Sequence, residues 1–254
     1  MTTGIDAVGR PIRSAGASTP ARDGTPAGTA TSGRAPDPRV ETDSGNADAV
    51  GGIMRALAWI PRLAVLHLAW ILGTLIGGII LGVAPATVTL IAALEEREDL
   101  PTAFGERVRW AAHRWRDELV PANRALAPFL VIGLGAGGNL LAAGAGFAPG
   151  WFVPWGLAPT AVIALWALLA VHHAAVLRVL RPDAGTATVW RAAAAGPVLL
   201  PLASIAWLIT IGAAAAAAVV IVPIGALLGV GIVLATTWAL ILRVWQARMD
   251  PLTS

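Results

Sequence analysis

Long apolar runs separated by short charged connections occupy most of the chain after its first fifth. Runs long enough to cross a bilayer, which takes about 20 helical residues, fall at residues 63–82, 125–147 and 160–177. The apolar stretch 196–244 is long enough for two crossings, with Pro223 near the reversal. The pattern therefore predicts an all-α, polytopic helical membrane protein with about five long transmembrane spans.

Two further segments have an amphipathic pattern. Residues 53–62 place two arginines beside Trp59 and Pro61, which is typical of a short interfacial helix. Residues 101–121 carry arginines on one face and apolar side chains at helical spacing on the other, namely Phe104, Val108, Ala111, Trp115 and Leu119. We expect this second segment to be a cytoplasmic amphipathic surface helix.

The arginines are concentrated in particular connections. Seven precede the first long run, six lie within 97–124, three within 178–191 and two at the C-terminal end, whereas the connections around Trp151 and Pro223 have none. Because Arg-bearing connections favour the cytoplasmic side, both termini are predicted to be cytoplasmic. The chain must then cross an even number of times between Arg62 and Arg97.

The stretch "LGVAPATVTL" at residues 81–90 supplies the second crossing. Pro85 has no amide proton and disfavours a helical conformation at Ala84, so the first span is predicted to stop near Gly82 and reverse. Residues 85–94 would then form a short return helix, and the Thr87 hydroxyl is available to backbone groups freed at the turn. The alternative is that Pro85 only kinks one long helix, which would leave the N-terminal tail outside.

Composition and charge predict the domain organisation and exclude some kinds of site and partner. Residues 1–50 lack the apolar content of a core and are predicted to form a disordered cytoplasmic tail, followed by a membrane domain at 51–249 and a short tail at 250–254. The chain has no cysteine, so disulfides and thiolate ligands are excluded. All 18 basic residues are arginine, the net charge is only +3, and no basic stripe interleaved with aromatics suggests a nucleic-acid partner.

Few ionisable or polar groups fall inside the predicted spans, and none of them is acidic. His67, His172 and His173 are interpreted as polar contacts between helices, because adjacent histidines diverge by about 100° on a helix and cannot easily share a metal. Asn139 lies in "GLGAGGNLLAAGAG", where helix packing is favoured over transport. That glycine-rich run follows no strand, which argues against a dinucleotide site. No metal, cofactor or catalytic group is therefore predicted.

Several of these elements together resemble the N-terminal half of the YesL family of bacterial membrane proteins, a domain-of-unknown-function family. The resemblance covers about residues 51–125 and rests on Met54-Arg55, His67-Leu68-Ala69-Trp70, Ala84-Pro85-Ala86-Thr87 and the segment from Phe104 to Trp115. It implies an association with carbohydrate uptake systems, and it supplies no catalytic residues.

The sequence thus predicts a non-enzymatic accessory or regulatory protein of the bacterial plasma membrane. Its expected partners are the lipid bilayer and, by the resemblance, permease subunits of a sugar uptake system. The alternative is a small transporter or channel built around the broken helix at residues 82–87, since discontinuous helices often line substrate sites. The positions that either role would use are Gly82, Pro85, Thr87, His67, Trp70, Asn139, His172 and His173.

Overall fold

A computed structural model describes the backbone of residues 38–249 and the side chains from residue 54 onward, except those of residues 55, 56 and 224. This part of the chain is helical and contains no strand. The helices in chain order are α1 (Pro38–Ile76), α2 (Val83–Glu95), α3 (Phe104–Gly144), α4 (Phe152–Leu180), α5 (Thr186–Leu199), α6 (Pro201–Val220), α7 (Val222–Thr236), a π-helix (Thr237–Leu242) and α8 (Arg243–Met249).

Five helical segments are long and apolar enough to cross a membrane. They are Leu57–Ile76, Phe104–Gly144, Phe152–Leu180, Pro201–Val220 and Gly225–Met249. The last of them runs through α7, the π-helix and α8 without a break. The prediction of an all-α polytopic membrane protein with five long spans is confirmed.

The chain reverses between α1 and α2, but earlier than predicted. Helix α1 ends at Ile76 instead of near Gly82, and residues 77–82 form the turn. Gly78 and Ile79 have φ values of 67° and 65°, a left-handed conformation that ends the helix. Pro85 is the third residue of α2, in the first turn, where an amide proton has no intrahelical acceptor. This proline is therefore compatible with the start of the return helix and does not break the first span.

Helix α2 is the innermost helix of the bundle. It has 13 residues, which corresponds to a length of about 20 Å, and its side chains from Ala84 to Ala92 are almost all buried against α3 and α4. Ala84, Val88 and Ile91 are completely inaccessible. This helix is shorter than the hydrocarbon thickness of about 30 Å. Its position therefore depends on packing against the helices around it.

Helix α3 unites two segments that the sequence analysis separates. The amphipathic segment at 101–121 and the span predicted from residue 125 are one helix of 41 residues, with Pro121 and Pro128 inside it. Pro128 leaves the carbonyl of Arg124 without its usual amide donor. The indole of Trp190 donates a hydrogen bond of 3.0 Å to that carbonyl, so a neighbouring helix compensates for the proline and α3 continues.

Three other boundaries differ from the predictions. The interfacial segment at 53–62 is continuous with the first span in α1, although Pro61 lies inside it. The fourth span begins at Pro201 and not near residue 196, because residues up to Leu199 belong to α5. Helix α1 begins at Pro38, within the predicted tail, while residues 1–37 and 250–254 lie outside the described part of the chain.

Candidate functional site: a buried polar cluster around His173

His173 of α4 is fully buried and connects three helices through its imidazole ring. Its Nδ1 atom lies 2.9 Å from the indole nitrogen of Trp245 in α8, and its Nε2 atom lies 3.2 Å from the hydroxyl of Ser204 in α6. An indole nitrogen can only donate, so Nδ1 is the acceptor and the ring proton of the neutral imidazole is on Nε2. His173 therefore donates to Ser204.

The same cluster continues from Ser204 to Trp207, one turn along α6. Trp207 is completely inaccessible, and its indole donates to the Thr237 hydroxyl at 3.0 Å. Thr237 in turn donates to the carbonyl of Val233 at 2.7 Å. Thr237 is also the first residue of the π-helix. The widened turn of a π-helix is rare and is frequent at functional sites, which is why this cluster is the first candidate.

The two adjacent histidines point in different directions, as the sequence analysis predicts. The His172 ring packs on Trp207 with the ring centroids 4.4 Å apart, and its Nδ1 atom lies 2.7 Å from the carbonyl of Leu168. Within the described residues, no group of three potential metal ligands is close enough to hold an ion. The two histidines contribute to helix packing through separate partners.

A buried ion pair joins α3 to α4 near this cluster. The Arg178 guanidinium donates to both carboxylate oxygens of Glu118, with distances of 3.1 Å from Nη2 and 3.3 Å from Nε. The two side chains are only 9% and 5% exposed. Arg178 also donates to the carbonyl of Pro182 at 2.6 Å, so its charge has three acceptor oxygens.

Glu95, the last residue of α2, forms a third polar junction. Its carboxylate accepts hydrogen bonds from the Trp238 indole at 2.8 Å and from the Gln246 amide at 2.6 Å. The guanidinium of Arg243 is 3.8 Å from the same carboxylate and lies over the Trp238 ring. This junction attaches the short inner helix to the last membrane helix.

Two of the predicted positions on the α1–α2 hairpin contact each other. The Trp70 indole donates to the Thr87 hydroxyl at 3.0 Å, and that hydroxyl donates to the Val83 carbonyl within α2 at 2.8 Å. Thr87 thus binds α1 and its own helix instead of the backbone of the turn. His67, one turn before Trp70, accepts from the Val230 amide at 3.2 Å and so contacts α7.

The remaining predicted positions are spread over the bundle. Gly82 packs directly against the backbone of Thr74 at the turn, and Pro85 is buried in α2. Asn139 is exposed on α3, and its side-chain amide makes no hydrogen bond to any residue that the structure describes. The positions singled out from the sequence therefore do not form one site, and only His172 and His173 belong to the polar cluster.

The sequence analysis missed most members of the polar cluster. They are isolated polar or aromatic residues in long apolar runs, namely Ser204, Trp207, Thr237 and Trp245. Glu118 of the buried ion pair lies in the segment 101–121, which the sequence predicts to be a surface helix. The available signal was the spacing of Ser204 and Trp207, which places both on one face of a helix. Their partners on other helices have no signal in the local sequence.

The hydrogen bonds of the cluster determine what chemistry it supports. A serine nucleophile needs a base that accepts its proton, whereas the Trp245 indole makes His173 the donor to Ser204. Each polar atom of this pair is occupied by a protein partner. The arrangement suits a rigid contact between α4, α6 and α8 better than a reacting centre.

We expect His173→Phe to destabilise the protein by about 2–4 kcal/mol, because the buried Trp245 indole and Ser204 hydroxyl both lose their partner. Chemical unfolding of the purified protein in detergent micelles measures the change. His113→Phe is the control, because His113 is exposed and should change the free energy of unfolding by less than about 0.5 kcal/mol. Equal effects of the two substitutions would contradict the role given to the cluster.

Comparison with known proteins adds a family match over part of the chain. The model of a family described as "Protein of unknown function, DUF624" matches residues 63–136, from within α1 to the C-terminal part of α3. No curated protein and no solved structure matches the chain. The protein is a polytopic helical membrane protein that contains a DUF624-like segment at residues 63–136.

Proposed function

We propose that this protein is a non-enzymatic accessory or regulatory component of the bacterial plasma membrane that associates with permease subunits of a carbohydrate uptake system. The arginine distribution supports a cytoplasmic position for both termini. The DUF624 match at 63–136 overlaps the YesL-like stretch at 51–125, and this overlap supports a role of the YesL type.

The observation that carries the proposal is that the buried polar groups around His173 and in the Glu118–Arg178 pair bind one another. Catalytic and transporting groups must exchange partners during a cycle, and they are usually exposed to a cavity or a water path. Here His173 is fixed between Trp245 and Ser204, and Glu118 is fixed by Arg178. Groups fixed in this way stabilise one arrangement of helices, which suits a protein that presents a constant surface to a partner.

A transporter is the second candidate, and α2 is the observation that favours it. Short helices that end inside a bundle often carry the substrate or ion site of a transporter. Helix α2 has this form, and Glu95 at its end is an acidic group that coupling could use. Against this role, the Glu95 carboxylate is already bound by Trp238 and Gln246.

Two measurements on the full-length chain distinguish the candidates. Tagged protein is purified from its native membrane after mild cross-linking, and the accessory role predicts stoichiometric recovery of sugar permease subunits. The same protein is reconstituted alone in vesicles, where the accessory role predicts no sugar or ion flux above that of empty vesicles. Glu95→Gln should leave permease recovery unchanged.

If vesicles that contain only this protein show sugar or ion flux, and Glu95→Gln abolishes that flux, the protein is a transporter and the accessory role is overturned. Absence of permease subunits from cross-linked native membrane would also overturn it. Exposed Glu98 offers the matched control, since Glu98→Gln removes the same charge three residues from Glu95 without touching the junction.

A further inference from the structure

An apolar cleft opens between the end of α1, the middle of α2 and the amphipathic part of α3. Its volume is about 490 Å³, within the range of about 300–1,000 Å³ typical of small-molecule sites. Gly73, Ile76, Leu90, Val108 and Trp115 are among the residues that line it. A Cβ atom on Gly73 would lie 3.1 Å from the Cβ atom of Ala86, so this glycine allows α1 to approach α2 closely beside the Trp115 ring.

Two polar side chains of the cleft have no partner in the described part of the chain. Thr89 lines the cleft and is 3% exposed, and its hydroxyl makes no hydrogen bond. The Trp115 indole nitrogen is also buried without a partner. A buried donor without an acceptor costs about 1–3 kcal/mol. Both groups can donate, so the missing occupant should carry acceptor oxygens.

One edge of the cleft carries a positive charge. Arg116 lines the cleft, is exposed, and forms no ion pair with any described residue. An anionic group is therefore the complementary partner at this edge, and an arginine suits a phosphate because it can donate two parallel hydrogen bonds.

Exposed apolar side chains surround the opening of the cleft. Leu72, Ile76 and Val108 are each more than half exposed, and they join the apolar interior to the surface of a helix bundle that spans a membrane. An acyl chain can thus enter from the bilayer without crossing a polar barrier. A soluble metabolite would have to pass these apolar groups to reach the interior.

We propose that this cleft binds one ester-linked anionic phospholipid. One acyl chain fills the apolar interior, an ester carbonyl accepts hydrogen bonds from the Thr89 hydroxyl and the Trp115 indole, and the phosphate pairs with Arg116. The lipid joins α1, α2 and α3 at the place where protein side chains leave a gap. This site is independent of the role in sugar uptake and would exist in an accessory protein or in a transporter.

Native mass spectrometry of the full-length protein, delipidated and then titrated with phosphatidylglycerol or phosphatidylethanolamine of the same chain length, tests the site. We expect one tightly retained phosphatidylglycerol. Ala112 lines the cleft and is exposed. Ala112→Phe should therefore fill the apolar interior of the cleft and weaken binding of the lipid at least about tenfold, because the acyl chain loses its apolar contacts. Thr89→Val should weaken it about threefold to tenfold through loss of one hydrogen bond.

Each variant has a matched control outside the cleft. Ala216→Phe, Thr210→Val and Arg191→Gln change exposed residues of α6 and α5 and should retain the lipid as the unaltered protein does. Arg116→Gln should abolish the preference for phosphatidylglycerol over phosphatidylethanolamine. Equal thermal unfolding midpoints of Ala112→Phe and Ala216→Phe exclude a folding defect as the cause of weaker lipid binding. If the midpoints differ, the lipid binding of the near-isosteric Thr89→Val variant tests the site instead.

Three results would overturn the proposal. The first is equal lipid retention by Ala112→Phe and Ala216→Phe. The second is equal affinity of the unaltered protein for both lipids, with no effect of Arg116→Gln. The third is equal retention by Thr89→Val and Thr210→Val.

Discussion

Glu118→Ala is expected to lower the free energy of unfolding by about 3–5 kcal/mol, because it leaves the Arg178 charge buried without its partner. The pair is almost inaccessible, and both carboxylate oxygens accept hydrogen bonds from the guanidinium. The low dielectric around the pair makes the isolated charge costly. Chemical unfolding of the purified protein in detergent micelles measures the loss.

A second ion pair provides the control for this substitution. Glu106 and Arg109 lie 4.0 Å apart on the same helix with most of both side chains exposed. Glu106→Ala should therefore cost less than about 1 kcal/mol. The double variant Glu118→Leu with Arg178→Met removes both buried charges and should recover much of the lost stability. If Glu118→Ala costs no more than Glu106→Ala, the buried pair does not hold α3 to α4.

Gly82→Ala is expected to destabilise the protein by about 3 kcal/mol, the upper end of the usual cost of overpacking, and to lower the yield of folded protein in the membrane. A Cβ atom on Gly82 would collide with the carbonyl group of Thr74. The collision is with the backbone of α1, which cannot rotate away as a side chain can. The α1–α2 hairpin would have to open, and α2 would lose its buried position.

Two other substitutions separate this effect from helix propensity and from Pro85. A Cβ atom on Gly138 would meet nothing within 4 Å, so Gly138→Ala in α3 should be neutral or stabilising by about 0.5–1 kcal/mol. Pro85→Ala should cost less than Gly82→Ala, because Pro85 lies in the first turn of α2 and not in the turn of the chain. If Pro85→Ala lowers the free energy of unfolding as much as Gly82→Ala does, Pro85 contributes to the reversal of the chain after all.

The number of spans was predictable because the thickness of the bilayer fixes the length of apolar sequence that each span needs. A helix needs about 20 apolar residues to cross, and five helical segments within residues 38–249 meet this requirement. The helix ends were less predictable. The turn at residues 77–82 depends on left-handed Gly78 and Ile79, and nothing in the apolar pattern marks an isoleucine for that conformation.

The sequence did not predict that α3 is one continuous helix, for a different reason. Charged and apolar segments separated by Pro121 look like two elements, because proline usually ends a helix. The helix continues through Pro121 and through a second proline, Pro128. At Pro128 the Trp190 indole, more than 60 residues away in the chain, binds the carbonyl that the proline leaves free. A tertiary contact of this kind overrides the local signal.

The polar cluster was predictable only through its histidines. A histidine in a membrane helix needs a polar partner, so His172 and His173 were recognisable as packing contacts. Their partners were not, because Ser204 and Trp245 come from helices whose rotation is set by packing. The π-helix changes that rotation again, since it adds a residue to one turn and shifts every side chain that follows.

The junction at Glu95 also constrains the order in which the protein is completed during synthesis. Its partners Trp238 and Gln246 follow it by 143 and 151 residues. A ribosome that adds about 5–20 residues per second needs on the order of ten seconds to make that length of chain. The inner helix therefore leaves the ribosome well before the helix that anchors its end. Final assembly of the bundle must await the last transmembrane segment, and a chain truncated before it would lack both anchoring groups.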